Sequence, residues 1–171
     1  MAFKNISKVL FDKNITYSEK EQIIDQYIDN INDRNQGGLT LLHIACRDAR
    51  KYGIDPIKLL LEKKANVNIK DDGDYTPLHT AIAYNCKNYT IDIIKLLLKH
   101  GADPNIENYL NNTSLHIAIN CRKRHFITVI DLLLQYGAKV NVKNNYGYTP
   151  LFIASCDRIK HREKIELLIN S

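Results

Sequence analysis

Three histidines recur along the chain at positions from which a metal site or acid–base chemistry could be built. His43, His79 and His116 lie 36 and 37 residues apart, and imidazole is a common metal ligand and general base. A metal site, however, needs several ligands that converge on one ion. A row of single histidines at a repeat spacing does not supply such a set, so we expect no metal and no other cofactor.

Two cysteines lie close to histidines in the sequence, which raises the question of thiol catalysis. Cys46 follows His43, and Cys121 precedes His125. A nucleophile also needs a base held by a third group and a site for an oxyanion, and neither pair is accompanied by a glycine-rich loop. We therefore predict that the chain is not an enzyme and that these cysteines fill the core or line a groove.

The histidines belong to a longer pattern that occurs four times, at spacings of 36, 37 and 36 residues. Each copy is followed by an apolar run at 57–61, 93–98, 129–134 and 165–169. The first element of each copy is too short to be a stable isolated helix, so the units must stack to bury their apolar faces. The four copies are Leu39–Ala45, Tyr75–Ala81, Asn112–Ala118 and Tyr148–Ala154.

This pattern closely resembles the ankyrin repeat. Thr-Pro-Leu-His-x-Ala at 76–81 matches the opening of a unit's first helix, Lys-Leu-Leu-Leu at 95–98 matches the end of its second helix, and 99–105 matches the link to the next hairpin. The resemblance covers 31–171. It implies an all-α ankyrin-repeat solenoid of stacked helix-turn-helix units with short β-hairpin loops. The interhelical loops are longer than is usual for the family.

The same resemblance implies a structural role for the histidines. His43, His79 and His116 each follow a threonine by three residues. The threonine hydroxyl is then within reach of the imidazole, which can also bond a carbonyl of the neighbouring hairpin. The fourth copy has Phe152 in place of histidine, which is consistent with this role.

We expect one continuous domain. Two helical patterns precede the repeats, the second beginning with Ser18 and Glu21 as a capping box. They predict an N-terminal capping helix pair at 1–31. The four ankyrin repeats, called units 1 to 4 below, are expected at about 32–67, 68–104, 105–140 and 141–171.

Each unit is expected to begin with a projecting hairpin. The turn of such a hairpin needs a residue that tolerates positive φ, and glycine, asparagine and aspartate do so most readily. The aligned residues are Gly38, Asp74, Asn111 and Gly147.

Composition narrows the functional class. The chain has 44% hydrophobic and 25% charged residues, as a folded protein does. Its net charge of +5 falls short of what a nucleic-acid binder shows. We find no signal peptide and no stretch approaching the roughly 20 apolar residues of a membrane span. We therefore expect a cytoplasmic protein, with the nucleus as an alternative location. The four cysteines are then expected to be reduced.

The resemblance also implies a partner protein bound at the hairpin tips and the exposed side of the first helices. Tyrosine is frequent on this surface, and tyrosine is enriched in interface hot spots. The alternative is that these tyrosines only pack hairpin against hairpin. The expected partner-binding residues are Arg34, Lys70, Tyr75, Tyr84, Tyr109, Leu110, Tyr146 and Tyr148.

A second surface is basic. Stacking would align the long interhelical loops into a ridge that could bind an acidic or phosphate-rich partner, or that could simply be a solvated rim neutralised by neighbouring carboxylates. We call it the basic ridge. Its residues are Arg47, Arg50, Arg122, Lys123 and Arg124.

The sequence therefore predicts a monomeric scaffold that acts as an inhibitor, competitor or adaptor and has no small-molecule substrate. Short chains of ankyrin repeats with this composition resemble those of viruses and intracellular bacteria, which are directed at host signalling proteins. One such role imitates the inhibitors of NF-κB, which hold a basic segment against an acidic surface. The net basic charge of this chain argues against that particular role.

Overall fold

The computed structural model describes residues 2–84, 90–121, 126–156 and 162–169. Within these ranges the regular secondary structure is helical and no β-strand is present. A short 3-10 turn at Ile28–Asn30 follows the second helix. The α-helices are α1 (Ala2–Leu10), α2 (Tyr17–Asp25), α3 (Leu41–Arg47), α4 (Ala49–Tyr52), α5 (Asp55–Glu62), α6 (Pro77–Tyr84), α7 (Thr90–Lys99), α8 (Ser114–Asn120), α9 (Phe126–Gln135), α10 (Pro150–Ser155) and α11 (Arg162–Ile169).

The helices pack as pairs, and the pairs pack on one another. Within units, α3 contacts α5, α6 contacts α7, α8 contacts α9 and α10 contacts α11. Between units, the first helices α3, α6, α8 and α10 contact in sequence, and α9 contacts both α7 and α11. This is the predicted solenoid. In unit 1 the long interhelical loop contains the additional helix α4.

Threonine and histidine fix where the first helices begin. The Thr40 hydroxyl accepts a hydrogen bond from the His43 backbone N–H at 3.4 Å, and the His43 ring Nδ1 accepts one from the Thr40 backbone N–H at 3.2 Å. Thr113 and His116 form the same reciprocal cap on α8. Two N–H groups that a helix terminus would leave unpaired are satisfied in this way.

A continuous apolar core runs through the stack. Leu42, Leu78 and Leu115 on the first helices, and Ile57 and Ile93 on the second helices, are each at most 1% exposed. Burial of such a side chain contributes about 1.5–3 kcal/mol. The short first helices are therefore stabilised by this shared core and not by their own length.

The projecting hairpins end in tight turns with the positive φ angles that were predicted for their turn residues. In unit 1 the backbone N–H of Asn35 donates to the carbonyl of Leu39, and equivalent bonds close the turns of the other three units. The φ angles at the predicted turn residues are positive, which confirms the prediction. They are 73° at Gly38, 59° at Asp74, 55° at Asn111 and 76° at Gly147.

The N-terminal helix cap differs from the sequence prediction. The capping box of α2 is formed by Thr16 and Glu19, not by Ser18 and Glu21. Both pairs have the required spacing. The earlier pair is used because α2 begins at Tyr17, where the Thr16 hydroxyl and the Glu19 carboxylate satisfy each other's backbone N–H groups.

The helix α2 is tied to unit 1 by charged and polar contacts. The Lys63 ammonium lies 2.6 Å from the Asp25 carboxylate and 3.2 Å from that of Glu21. The Tyr17 hydroxyl donates a short hydrogen bond to Glu62. Burial and this carboxylate raise the pKa of Tyr17.

In the described part of the chain, none of the helices is long and apolar enough to cross a bilayer.

Candidate functional site

The three histidines are built into the stack. His43 Nδ1 accepts from the Thr40 N–H, so the ring proton is on Nε2, which donates to the carbonyl of Tyr75 at 2.9 Å. His116 Nε2 bonds the Tyr148 carbonyl at 3.1 Å in the same way. Both histidines thus have the threonine and carbonyl partners that were predicted. Among the described residues, no three histidine, cysteine, aspartate or glutamate side chains are placed to hold one metal ion.

Burial keeps these imidazoles neutral. Removal from water lowers the pKa of His43 and of His116, and it lowers that of His79 to about 4. His79 Nδ1 accepts from the Thr76 N–H at 3.1 Å, whereas its Nε2 has no partner with hydrogen-bond geometry. The predicted bond to the next hairpin is therefore made by two of the three histidines.

A groove opens between the hairpins and the first helices of units 2 to 4. Its volume is about 560 Å³. The hairpins supply one wall and the exposed sides of α6, α8 and α10 supply the other. It is lined by Tyr75, Ala83, Asn108, Asn112, His116, Ile117, Asn120, Cys121, Asn144, Tyr146, Tyr148 and Ile153.

Asparagine side chains shape the hairpin wall of this groove. Asn144 Oδ1 accepts from the backbone N–H groups of Tyr146 and Tyr148, both at 3.0 Å. Its amide nitrogen donates to Asn112 Oδ1 at 2.9 Å, which joins two hairpins. These bonds hold the backbone from which the tyrosines project.

The tyrosines form two aromatic groups. The Tyr75 ring lies 6.0 Å from that of Tyr109 and 5.9 Å from that of His79, which is an edge-on contact. At the other end, Tyr148 stacks between Tyr146 and Phe152, with ring centroids at 6.0 Å and 4.6 Å. Ring pairs at such distances are attractive, so the aromatic surface is held in place before any partner binds.

The described residues of the groove are uncharged, and two charged pairs lie beside it. None of the described lining residues is an aspartate, glutamate, lysine or arginine. The predicted site residue Arg34 lies 2.7 Å from Asp72, and Lys70 lies 3.3 Å from Asp74. These two predicted site residues therefore already have an ion-pair partner within the chain.

The comparisons with known proteins agree with this architecture. A family model described as ankyrin repeats (3 copies) matches residues 13–108 and 83–171. The chain belongs to the ankyrin-repeat family. Ankyrin repeats are generally protein–protein interaction modules and are typically non-enzymatic scaffolds. A search of curated proteins found no match to the chain.

The ankyrin stack brings some of the predicted partner-binding residues together and separates others. Tyr75, Tyr146 and Tyr148 line the groove. Tyr84 and Tyr109 are exposed outside it. Leu110 is half-buried, and its carbonyl accepts from the Asn145 N–H of the next hairpin at 3.0 Å, so part of its role is to join hairpins.

The basic ridge is described only in unit 1. There Arg47 pairs with Asp48 at 2.9 Å, and the Arg50 side chain is exposed. This pairing is the neutralised arrangement that was considered as the alternative. Arg122, Lys123 and Arg124 lie outside the described residues.

Sequence reasoning missed Asn108 and Asn144 as groove residues. A signal for them existed, because an asparagine or aspartate occurs five residues before every capping threonine, at Asn35, Asp71, Asn108 and Asn144. In all four ankyrin hairpins this side chain accepts from the N–H groups two and four residues later. Such turns are typical of these residue types.

Proposed function

We propose that this ankyrin-repeat chain binds a partner protein through the groove between its hairpins and first helices, and that it acts as an inhibitor, competitor or adaptor. The observation that carries the proposal is the convergence of Tyr75, Tyr146 and Tyr148 on one groove whose described lining residues are uncharged. Tyrosine contributes a large contact area and a polar hydroxyl while losing few rotamers on binding.

The most exposed of these tyrosines is not required by the fold. Tyr146 is 66% exposed, and the aligned residues in units 1 and 2 are Gly37 and Gly73. The hairpin turn therefore forms without any side chain at this position. A large exposed aromatic residue on a structurally dispensable position supports a binding role.

A host-directed role in signalling is one form of this proposal. Imitation of the inhibitors of NF-κB would require an acidic surface for a basic segment. Because the described residues of the groove lining include no aspartate or glutamate, we do not propose a basic segment as the partner of this groove.

The test is affinity capture from host-cell lysate with the intact chain and two matched variants. Tyr146→Ala/Tyr148→Ala removes two aromatic rings of the groove. Tyr136→Ala removes a tyrosine that is 40% exposed near the end of α9, outside the groove. We expect a defined protein to be captured by the intact chain and by Tyr136→Ala, and to be lost with the double variant while its far-UV circular dichroism spectrum remains that of the intact chain.

The basic ridge remains the alternative, and a third variant tests it. Arg122→Ser/Lys123→Ser/Arg124→Ser should leave capture unchanged if the groove is the binding surface. If capture instead depends on these three residues and falls steeply as salt is raised, the partner binds the ridge and the proposal for the groove is wrong.

A further inference from the structure

We infer that the groove takes an extended segment of the partner protein that is uncharged where it crosses Tyr146 and Tyr148. This inference rests on the proposed function and specifies the chemistry of the partner. It also predicts apolar side chains at alternate positions of the segment, directed at the groove floor.

The charge distribution argues for an uncharged segment. Among the described lining residues there is no aspartate, glutamate, lysine or arginine that could act as a counter-ion. Arg34 and Lys70, on the hairpins beside the groove, are already paired within the chain, with Asp72 and Asp74. A charged side chain that entered the groove would lose its water without gaining an opposite charge, which is unfavourable.

The polar groups of the groove favour a partner segment whose backbone N–H and carbonyl groups are free to form hydrogen bonds. The Asn120 side chain and the hydroxyls of Tyr146 and Tyr148 make no hydrogen bond to any described residue. An amide and two hydroxyls can both donate and accept, as can the backbone of a peptide. A helix has already paired its backbone groups internally, whereas an extended segment presents them to such side chains.

The floor of the groove argues for alternating apolar side chains. The apolar side chains of the helix wall, here called the floor, are Ala83 on α6, Ile117 on α8 and Ile153 on α10. In an extended chain successive side chains point to opposite sides, so every second residue can face this floor. The tyrosine rings then contact the flanks of the same side chains.

The experiment is a selection from a random-peptide phage library against the intact 171-residue chain. Phage that also bind the Tyr146→Ala/Tyr148→Ala variant are removed. The expected peptides are uncharged over their central residues and have apolar residues at alternate positions. Affinities of the labelled synthetic peptides are then measured by fluorescence anisotropy for the intact chain, the double variant and Tyr136→Ala.

Two readouts test the charge argument directly. Replacement of a central residue of the selected peptide by Asp or Lys should weaken binding by at least about tenfold. An increase of salt from about 50 mM to about 500 mM should change the Kd by less than about threefold, because no ion pair is broken. Tyr136→Ala should bind as the intact chain does.

Two results would overturn the inference: selected peptides with charged centres, or a steep salt dependence. Failure to enrich any peptide would also overturn it. In that case tyrosine-dependent capture of a protein from lysate would show that the groove binds a folded surface, so the proposed function would stand without the extended segment. Loss of tyrosine-dependent capture would instead count against the proposed function itself.

Discussion

The ring Nε2 of His43 donates to the carbonyl oxygen of Tyr75 at a distance of 2.9 Å. The donor belongs to the first helix of unit 1, and the acceptor belongs to the hairpin of unit 2. His116 in unit 3 makes the same bond to Tyr148 in the hairpin of unit 4. Each bond needs the neutral ring with its proton on Nε2, because Nδ1 is already an acceptor for the threonine N–H.

We predict that acidification destabilises the folded chain through these histidines. An unfolded histidine binds a proton below its ordinary pKa of about 6.5, whereas folded His79 does so only below about 4. Between pH of about 6.5 and 4 the unfolded state therefore binds more protons than the folded state. The free energy of unfolding falls as the pH falls through this range, and above it His79 has no effect on stability. For His79 alone the loss amounts to about 3 kcal/mol. His43 and His116 shift in the same direction.

Urea unfolding followed by circular dichroism at a series of pH values measures this effect. His79→Phe, which introduces the residue that unit 4 has at this position, should reduce the pH dependence between about 6.5 and 4. His100→Gln is the matched control, because His100 is exposed at the end of α7. If His79→Phe retained the full pH dependence, the buried histidine would not be its source.

Much of the fold could be predicted because it depends on local residue patterns. The threonine and histidine caps and the turn residues act within a few positions of one another, so residue types and spacing are sufficient. The same applies to Asp74 and Asn111, whose positive φ angles follow from their alignment with Gly38 and Gly147. Where two local patterns compete, as with Thr16 and Ser18, spacing alone does not choose between them.

The groove could not be predicted to the same extent, because it depends on how units lie across one another. Tyr75 and Tyr148 are far apart in sequence and line one groove only after the units stack. The pairing of Arg34 with Asp72 joins two hairpins and could not be read from either hairpin alone. Arg34 thus has an internal partner in addition to its predicted role as a contact for the partner protein.

We predict that two glycines with the same backbone conformation differ in their tolerance of alanine. Gly38 and Gly147 have φ angles of 73° and 76°, so alanine costs about 1 kcal/mol of backbone strain at either position. A methyl group on Gly38 would also collide with the side chains of Arg34 and Asp72 and lie 2.6 Å from the Asp72 nitrogen, whereas one on Gly147 would meet nothing within 4 Å.

Gly38→Ala should therefore destabilise the chain by at least about 1 kcal/mol more than Gly147→Ala. Chemical denaturation of the two variants side by side gives this difference. Equal destabilisation would mean that the Arg34–Asp72 pair moves away without cost and does not fix the spacing of the first two hairpins.

We predict that the cysteines differ strongly in reactivity. Cys46 is 0% exposed on α3, and burial raises the pKa of its thiol, whereas Cys156 is exposed. Since alkylation requires an accessible thiolate, Cys46 should react at least about two orders of magnitude more slowly than Cys156, at a rate limited by unfolding. Iodoacetamide labelling followed by peptide mass spectrometry measures both rates. Comparable rates in the folded protein would contradict the observed packing around α3.

We predict that the asparagines at the start of units 2 and 3, Asn68 and Asn105, stabilise the stack. The aligned residue of unit 4, Asn141, serves as the control. Asn105 Oδ1 accepts from the Lys139 N–H at 2.8 Å, and its amide nitrogen donates to the Gly137 carbonyl at 2.9 Å. Asn68 makes the equivalent pair of bonds one unit earlier. The aligned Asn141 has an exposed side chain that bonds no other described residue.

Asn105→Ala should lower the free energy of unfolding by about 1–2 kcal/mol, because two hydrogen bonds between the start and the end of its unit are lost. Asn68→Ala should do the same, and Asn141→Ala should change it by less than about 0.5 kcal/mol. All three variants remove the same side chain from the same position of a unit, so differences in helix propensity or composition cancel. Equal losses at Asn105 and Asn141 in urea unfolding would show that these two hydrogen bonds contribute nothing measurable to stability.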